Sequence, residues 1–356
     1  MSVGKNGAGE RDRLSGPEAA GLKCWLDQNV PGFEGPLTVE RFNGGQSNPT
    51  YRLSTPAGAY VLRRKPPGPL LNGAHAIDRE ARVMTALAGA GFPVPRVLGV
   101  CMDESVVGAE FYVMEMVEGR IFWDSTLPTL SPGDRAACFE AMNTTIAHLH
   151  ALKPREVGLG DYGRPHGYLG RQLSRWSEQY LADDLAGRDS HMDRLVEWLP
   201  EHIPPDEETA IVHGDYRCDN IIFHPTEPRV LAVLDWELST LGHPLSDFAY
   251  HLMMYRLAPT FIGGFAGADL QALNIPPEAE YIAAYCRRTH RERIPNLGFH
   301  LIFNMFRLAA ILHGIKGRVA RGTAASDKAL DMAAKMAPLA EFAWSQAAAH
   351  KESTQQ

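Results

Sequence analysis

The residues best able to do chemistry lie in one stretch, 211–247, which reads IVHGDYRCDNIIFHPTEPRVLAVLDWELSTLGHPLSD. Two apolar residues lead into a tight His213-Gly214-Asp215 turn, and Asn220 stands five positions after Asp215. The apolar runs 221–223 and 230–234 are separated by a turn through Pro225 and Pro228 and form a hairpin pattern, the second run ending on Asp235. A carboxylate and a carboxamide therefore precede the hairpin, and a second carboxylate follows it. Oxygens so placed suit phosphoryl transfer. One carboxylate accepts or orients the proton of an attacking hydroxyl, while a carboxamide and another carboxylate hold magnesium against phosphate oxygens. Short side chains leave these oxygens where the backbone puts them, and positioning is most of what the reaction asks of a protein. Asp215 is thus the candidate catalytic residue, and Asn220 and Asp235 are the candidate metal ligands. Loops rich in Asp and Asn are also common as plain surface turns. What favours chemistry is the combination of HGDxxxxN, the hairpin and the strand-terminal Asp.

A nucleotide needs more than these three groups, and the first third of the chain supplies candidates. Apolar spacing predicts a helix over 17–29, then strands over 37–42 and 51–54. Between those strands runs Gly44-Gly45-Gln46-Ser47-Asn48-Pro49-Thr50. Glycines there let backbone N–H groups approach phosphate oxygens, although a strand-Gly-Gly-strand pattern is commonly a simple hairpin turn. The next strand, 59–65, ends in Arg63-Arg64-Lys65. Alternation places Val61, Arg63 and Lys65 on one face and Tyr60, Leu62 and Arg64 on the other. If Val61 faces a nucleotide, Arg63 points at its phosphates. A helix expected over 75–88 carries Glu80, a carboxylate able to pair with that cation. Strands over 96–101 and 110–116 follow, the second emptying into a connector near 115–119. Its backbone at Glu115 and Val117 can serve an adenine edge, with Met114, Met116 and Val117 against the ring.

Beyond the connector the periodicity is helical. A long buried helix is expected over 132–152, with His148 and His150 near its end and no further ligand nearby to make them a metal site. A loop over 154–173, a Trp-rich helical segment over 172–199, and helices over 248–255, 278–290, 297–319 and 326–349 complete this part, with the tail 347–356 frayed. Asp247, just before the first of those later helices, is placed to cap it or to brace the catalytic loop. The pattern is α+β: a five-stranded antiparallel sheet plus helix in a small N-terminal lobe over 16–116, then a mainly helical C-terminal lobe over 117–356, behind a disordered leader over 1–15.

Composition limits the partners. At 356 residues, 45% hydrophobic and 22% charged, the chain is an ordinary globular protein long enough for a large core. A formal charge of -7 without a basic stripe gives no support for nucleic acid. Cys24, Cys101, Cys138, Cys218 and Cys286 are scattered without CxxC pairs, which argues against a zinc site or a disulfide framework and suits the cytoplasm. The N-terminus lacks the apolar core of a signal peptide. No apolar run reaches the roughly 18 residues that a membrane helix needs, since the most apolar stretch, 301–315, is broken by Asn304, Arg307 and His313. No membrane partner is expected, and nothing in the sequence indicates an oligomeric state.

Together these residues resemble the aminoglycoside phosphotransferase and choline kinase superfamily, which has the protein-kinase-like two-lobed fold. Within it the chain is most similar to the kinase-like domain fused to some acyl-CoA dehydrogenases, through YVLRRKPPG, IDRE, GFPVPRVL, GAEFYVMEMVEGRIFWD and the 211–247 stretch. The resemblance implies ATP and Mg2+ as cofactors, Asp215 as the residue that positions the acceptor hydroxyl, and Asn220 and Asp235 as Mg2+ ligands. It places Arg63 where the family has its phosphate-binding cation, usually lysine, and Glu80 as its helix partner. It makes Glu115 and Val117 the adenine hinge and 44–50 the nucleotide loop. Asp-Trp-Glu stands where protein kinases have Asp-Phe-Gly.

The leading expectation is therefore an ATP- and Mg2+-dependent kinase acting on a hydroxyl of a small molecule. The resemblance to the dehydrogenase-fused kinases implies a hydroxyacyl compound or its CoA thioester as acceptor, and an aminoglycoside is disfavoured because no dense acidic cluster marks the expected acceptor loops. A catalytically silent nucleotide-binding module is the alternative, supported by the arginine at position 63. A metallohydrolase built on His213 and Asp215 lacks a second histidine cluster.

Overall fold

The computed structural model describes residues 14, 16–42, 48–66, 76–205, 207–261, 263–323 and 328–354. Contacts divide the chain into two units: Met1–Glu118 with Ala232–Glu237, and Gly119–Leu231 with Leu238–Gln356.

The first unit runs α1 (Gly16–Asn29), β1 (Thr38–Arg41), β2 (Thr50–Thr55), β3 (Gly58–Arg64), α2 (Ile77–Gly89), β4 (Val97–Cys101) and β5 (Phe111–Glu115). The strands form one antiparallel sheet in the order β1-β2-β3-β5-β4. Alternation along β3 decides its two faces. Leu62 joins a core with Leu22 and Leu26 of α1 and Val30 just beyond it, with Tyr60 packed against it. Arg64 points the same way: its Nη1 donates to Val107 O at 2.8 Å and its guanidinium lies over the Tyr51 ring. Val61 and Arg63 take the opposite face. On α2 the buried positions Ile77, Glu80, Ala81, Met84 and Leu87 follow helical spacing, and Glu80 is the charged one among them. Of the expected leader, Leu14 packs against the core of this unit, and the others lie outside the described residues.

Ala232–Glu237 returns the chain to this unit, which a linear division near residue 116 does not show. Val233 N donates to Pro93 O at 2.9 Å. The Trp236 indole donates to Val233 O at 2.9 Å and meets Phe92 edge-on. Asp235, held between those two anchors, has φ +64.

The second unit continues with α3 (Pro132–Ala151), α4 (Tyr168–Ala182), α5 (Ser190–Glu201), β6 (Ala210–Val212), β7 (Ile221–Phe223), β8 (Val230–Val233), β9 (Thr240–Gly242), α6 (Pro244–Arg256), α7 (Leu270–Leu273), α8 (Glu278–Arg288), α9 (Leu297–Ala320), α10 (Ala329–Ala334) and α11 (Met336–Thr354). The chain leaves the unit at the end of Leu231, midway along β8. By length and mean hydropathy α9 could cross a membrane, yet 83% of its most apolar window is buried inside the protein. Its polar interruptions are used internally. Asn304 donates to Ser246 O at 2.8 Å, Arg307 to Gly214 O at 2.7 Å, and a His313 ring nitrogen lies 2.7 Å from Gly187 O.

Several expected boundaries differ. The loop expected over 154–173 ends at Gly167, whose left-handed φ of 64 starts α4. The helical segment over 172–199 is two helices, because Asp189 accepts the N–H groups of His191 and Met192 and so caps a new one. The helix expected over 326–349 is likewise two, α10 and α11, and the latter continues to Thr354. Thr240–Gly242, for which no strand was expected, pairs antiparallel with Ala210–Val212. Strands of three residues carry too little period to be seen. The expected start at residue 248 moves to Pro244, which puts Asp247 inside α6.

Candidate active site

The HGD turn is fixed from three sides within the second unit. Gly214 has φ +83, and a Cβ there would sit 2.8 Å from Leu238 O and 3.1 Å from Leu238 Cβ, so only glycine makes the turn. Asp247 accepts the His213 N–H at 2.7 Å on Oδ2 and the Gly214 N–H at 2.8 Å on Oδ1. His150 Nε2 lies 3.2 Å from the same Oδ2, and Tyr285 OH sits 2.8 Å from His150 Nδ1. Asp247 therefore braces the loop rather than capping its helix. Burial pushes its carboxyl up, but His150, His213 and their hydrogen bonds more than reverse this and hold it below its ordinary value. Arg307 closes the third side through its bond to Gly214 O.

Asp215 and Asn220 come together as their spacing suggests. Asn220 Nδ2 donates to Asp215 O at 2.9 Å and to Asp215 Oδ2 at 3.0 Å. With Nδ2 so engaged, the amide oxygen Oδ1 is the atom that Asn220 can offer a cation. Tyr250 OH donates to the other carboxylate oxygen of Asp215, Oδ1. Next in the loop, Arg217 forms a two-point pair with Asp219, with Nε 3.0 Å from Oδ1. Burial would lower Arg217, but the carboxylates of Asp215 and Asp219 more than offset this, so it stays a cation. Burial pushes the Cys218 thiol up to about 11, which leaves it a protonated packing group against Ser125.

The nucleotide candidates and Asp235 all fall in the first unit. Arg63 Nε lies 2.9 Å from Glu80 Oε2, Nη2 lies 2.6 Å from Asp235 Oδ1, and Nη2 lies 3.5 Å from Glu237 Oε2. Glu80 also accepts from Asn48 Nδ2 at 2.8 Å and from Tyr112 OH at 3.1 Å. One guanidinium thus faces three carboxylates. Burial would depress Arg63, yet Glu80, Tyr112, Asp235 and Glu237 raise it further, and it remains charged. Burial pushes Glu80 up to about 7, with Arg63 opposing and Asp235 and Glu237 adding to the rise. Lys65 pairs with Glu110 and Arg64 faces the α1 side, which leaves Arg63 as the cation directed at this cluster.

Val61 and Met114 are register partners on adjacent strands and are both nearly buried. Thr50 is paired with Arg63, and its hydroxyl donates to Asn48 O at 3.1 Å. Glu115 accepts the N–H of Arg96, the residue before β4, on Oε1 at 2.9 Å, and Met116 and Val117 are half-buried beyond it. Gly44, Gly45, Gln46 and Ser47 lie outside the described residues.

Sequence reasoning overlooked Tyr250 and Arg307. Tyr250 stands three residues after Asp247, hence on the same face of α6 and aimed at the same loop. That spacing is the signal that could have found it. Arg307 was counted only as a break in an apolar run. Among the described residues, no group of three or more His, Cys, Asp or Glu is arranged to hold a metal ion. Asn220 and Asp235 each carry a hard oxygen donor of the kind that Mg2+ takes, and Mg2+ needs few protein ligands.

A five-stranded antiparallel sheet with its helix, followed by a mainly helical part that carries an HGDxxxxN loop, defines a kinase-like phosphotransferase. A family model described as the phosphotransferase enzyme family matches residues 38–292. Acyl-CoA dehydrogenase family member 11 of Gallus gallus is 46% identical over 331 residues, which are 90% of this chain and 42% of the relative. Family member 10 of Mus musculus is 44% identical over 312 residues, covering 87% of this chain and 29% of the relative. The chain therefore spans less than half the length of these curated relatives. A crystal structure from Ralstonia eutropha, of a protein classed with the aminoglycoside phosphotransferases, superposes with a TM-score of 0.83 at 51% identity, covering 92% of this chain and 97% of that one. An aminoglycoside phosphotransferase in ternary complex with ADP and hygromycin B gives 0.59 at 15% identity, covering 91% of this chain and 97% of that one, a likeness of fold alone. The chain belongs to this phosphotransferase family.

Proposed function

We propose that this protein is an ATP- and Mg2+-dependent phosphotransferase that moves the γ-phosphate of ATP to a hydroxyl of a small molecule, a hydroxyacyl compound or its CoA thioester. The observation that carries the reading is the HGDxxxxN loop, where Asp215 is locked by donors on both carboxylate oxygens and Asn220 is left with Oδ1 to offer. A carboxylate with two donors is a weak base that orients a hydroxyl well. In this reading the acceptor oxygen bonds to phosphorus as the bridging P–O bond to ADP breaks, and the hydroxyl proton passes by way of Asp215. Asn220 Oδ1 and the Asp235 carboxylate are the Mg2+ ligands, and the ion supplies positive charge against the phosphate oxygens. Val61, Met114, Met116 and Val117 line the adenine, with the backbone of Glu115 and Val117 at its edge. Arg63, kept in place by Glu80, serves the phosphates beside the backbone of 44–50.

The acyl acceptor rests on the relatives, whose names are those of acyl-CoA dehydrogenases. Five free thiols, four of them buried, support a reducing compartment such as the cytoplasm. A nucleotide-binding module without transferase activity is the second reading. It is favoured by the direct grip of Arg63 on Asp235, which a metal ligand would have to release.

Acceptor-dependent ADP formation, screened over hydroxyacyl-CoAs, sugars, amino alcohols and aminoglycosides, tests both. Asp215→Ala should abolish transfer while a Mg-ATP thermal shift persists, and Asp235→Ala should weaken that shift. Full turnover in Asp215→Ala would end the role assigned to it, and a thermal shift without ADP from any acceptor would favour the silent module.

A further inference from the structure

Both oxygens of Asp215 are taken by side chains, and one of the two donors comes from outside the HGDxxxxN loop. Asn220 Nδ2 holds Oδ2 at 3.0 Å, as the loop motif anticipates. Tyr250 OH, from α6, holds Oδ1. A carboxylate anchored at one oxygen can swing about its last bond, whereas one anchored at both cannot. Tyr250 is itself fixed. Its side chain is buried, and the guanidinium of Arg307 lies 5.5 Å over its ring. The same Arg307 donates through Nη2 to Gly214 O at 2.7 Å, so one group from α9 ties the phenol ring to the turn that carries Asp215. Burial and the Asp215 charge both raise the Tyr250 phenol, which keeps its proton in place to donate to Asp215.

We propose that Tyr250 is a positioning residue for Asp215, seated by Arg307, which presents the carboxylate to the acceptor hydroxyl in a single orientation. The proposal rests on the phosphotransferase reading of Asp215. Asp247 and Tyr250 divide the work on one face of α6: the carboxylate fixes the backbone of the turn, and the phenol fixes the side chain at its end. Phosphoryl transfer draws its rate from placement, so an acceptor-orienting carboxylate left free to turn loses much of its effect. Phenylalanine at this position fills the same space and keeps the ring under Arg307, removing one hydroxyl alone.

The test uses the full chain with Mg-ATP and water as the acceptor. Tyr250→Phe should lower kcat for ATP hydrolysis by roughly ten- to a hundredfold, the loss expected of a misplaced group. KM for ATP and the thermal midpoint should not change. In an Asp215→Asn background the same substitution should add no further loss. Crystals of Tyr250→Phe should show the Asp215 carboxylate turned away from its bond to Asn220. A wild-type kcat in Tyr250→Phe, or a lowered one with the carboxylate unmoved, overturns the proposal. If wild type and Asp215→Asn hydrolyse ATP at the same rate, the phosphotransferase reading fails instead, and the carboxylate orientation in the crystals still decides the role of Tyr250.

Discussion

Arg63 Nη2 stands 2.6 Å from Asp235 Oδ1 across 172 positions of sequence, while Nε of the same guanidinium lies 2.9 Å from Glu80 Oε2. A lysine ammonium is a point charge, whereas the planar fork of arginine can serve two carboxylates at once. Arg63→Lys should therefore keep the charge and lose one partner, at a cost of about 1–2 kcal/mol. Arg63→Met leaves Glu80 buried without its cation and should cost on the order of 3–5 kcal/mol. Denaturant unfolding of the two variants measures both. Equal losses would mean that the fork contributes nothing beyond its charge.

Glu80 makes the same cluster sensitive to pH. Burial pushes its carboxyl up to about 7 from an ordinary 4.5. Between those values the folded chain holds a proton that the unfolded chain has released. The stability from this group is full below about pH 4.5 and is lost as pH rises through 7. Glu80→Gln removes the titration. The unfolding free energy of the wild type, taken relative to Glu80→Gln, should thus fall by up to about 3 kcal/mol from pH 5 to pH 8. A difference that does not vary with pH would show that Glu80 is ionised throughout.

How much of this was legible beforehand depended on the kind of signal. Alternation along one strand was enough to separate Arg63 from Arg64, because a strand has only two faces and Leu62 had to be buried. The Asp215–Asn220 contact was legible because five residues of loop can close only locally. The joining of Asp235 to Arg63 was not anticipated, since no local pattern links positions so distant and Glu80 was the only partner expected for Arg63. Asp247 was seen as structural but with two possible roles, and its backbone partners decided between them. Tyr250 and Arg307 were hidden because each sits in an apolar helical stretch, where a polar tip resembles ordinary core. The β6–β9 pair was hidden by its shortness, and the return of Ala232–Glu237 to the first unit by its distance along the chain.

Gly214 should tolerate no side chain. Its φ of +83 disfavours any L residue, and a Cβ would press on Leu238 O at 2.8 Å. Gly214→Ala must either shift the Leu238 backbone or bend the turn, with a loss of about 1–3 kcal/mol. The bent turn would also drag on the Asp247 and Arg307 bonds to its peptide groups. ATP turnover and thermal midpoint should fall together in Gly214→Ala, whereas Asp215→Asn lowers turnover alone. A Gly214→Ala protein with the wild-type midpoint would show that the turn has more room than its geometry indicates.

At the acid end two buried imidazoles set the limit. Burial holds His251 down to about 4 and His300 down to about 3. His251 still has partners for its neutral form, with Tyr216 O 3.2 Å from Nδ1 and Tyr281 OH 2.7 Å from Nε2. His300 is fully buried beside His243, and among the described residues neither of its ring nitrogens has a hydrogen-bond partner. Both rings stay neutral in the fold while the unfolded chain protonates them near 6.5. Stability is therefore present above pH 6.5 and is lost as pH falls towards 4, by about 2 kcal/mol per ring at pH 5. Replacing His300 with Leu removes one of these losses together with two unsatisfied polar atoms. The variant should match or exceed the wild type at pH 7 and lead it by about 2 kcal/mol more at pH 5, measured by denaturant unfolding at each pH. Parallel stability curves for the two proteins would mean that His300 gains its proton without unfolding the chain, through an opening of α9 around it.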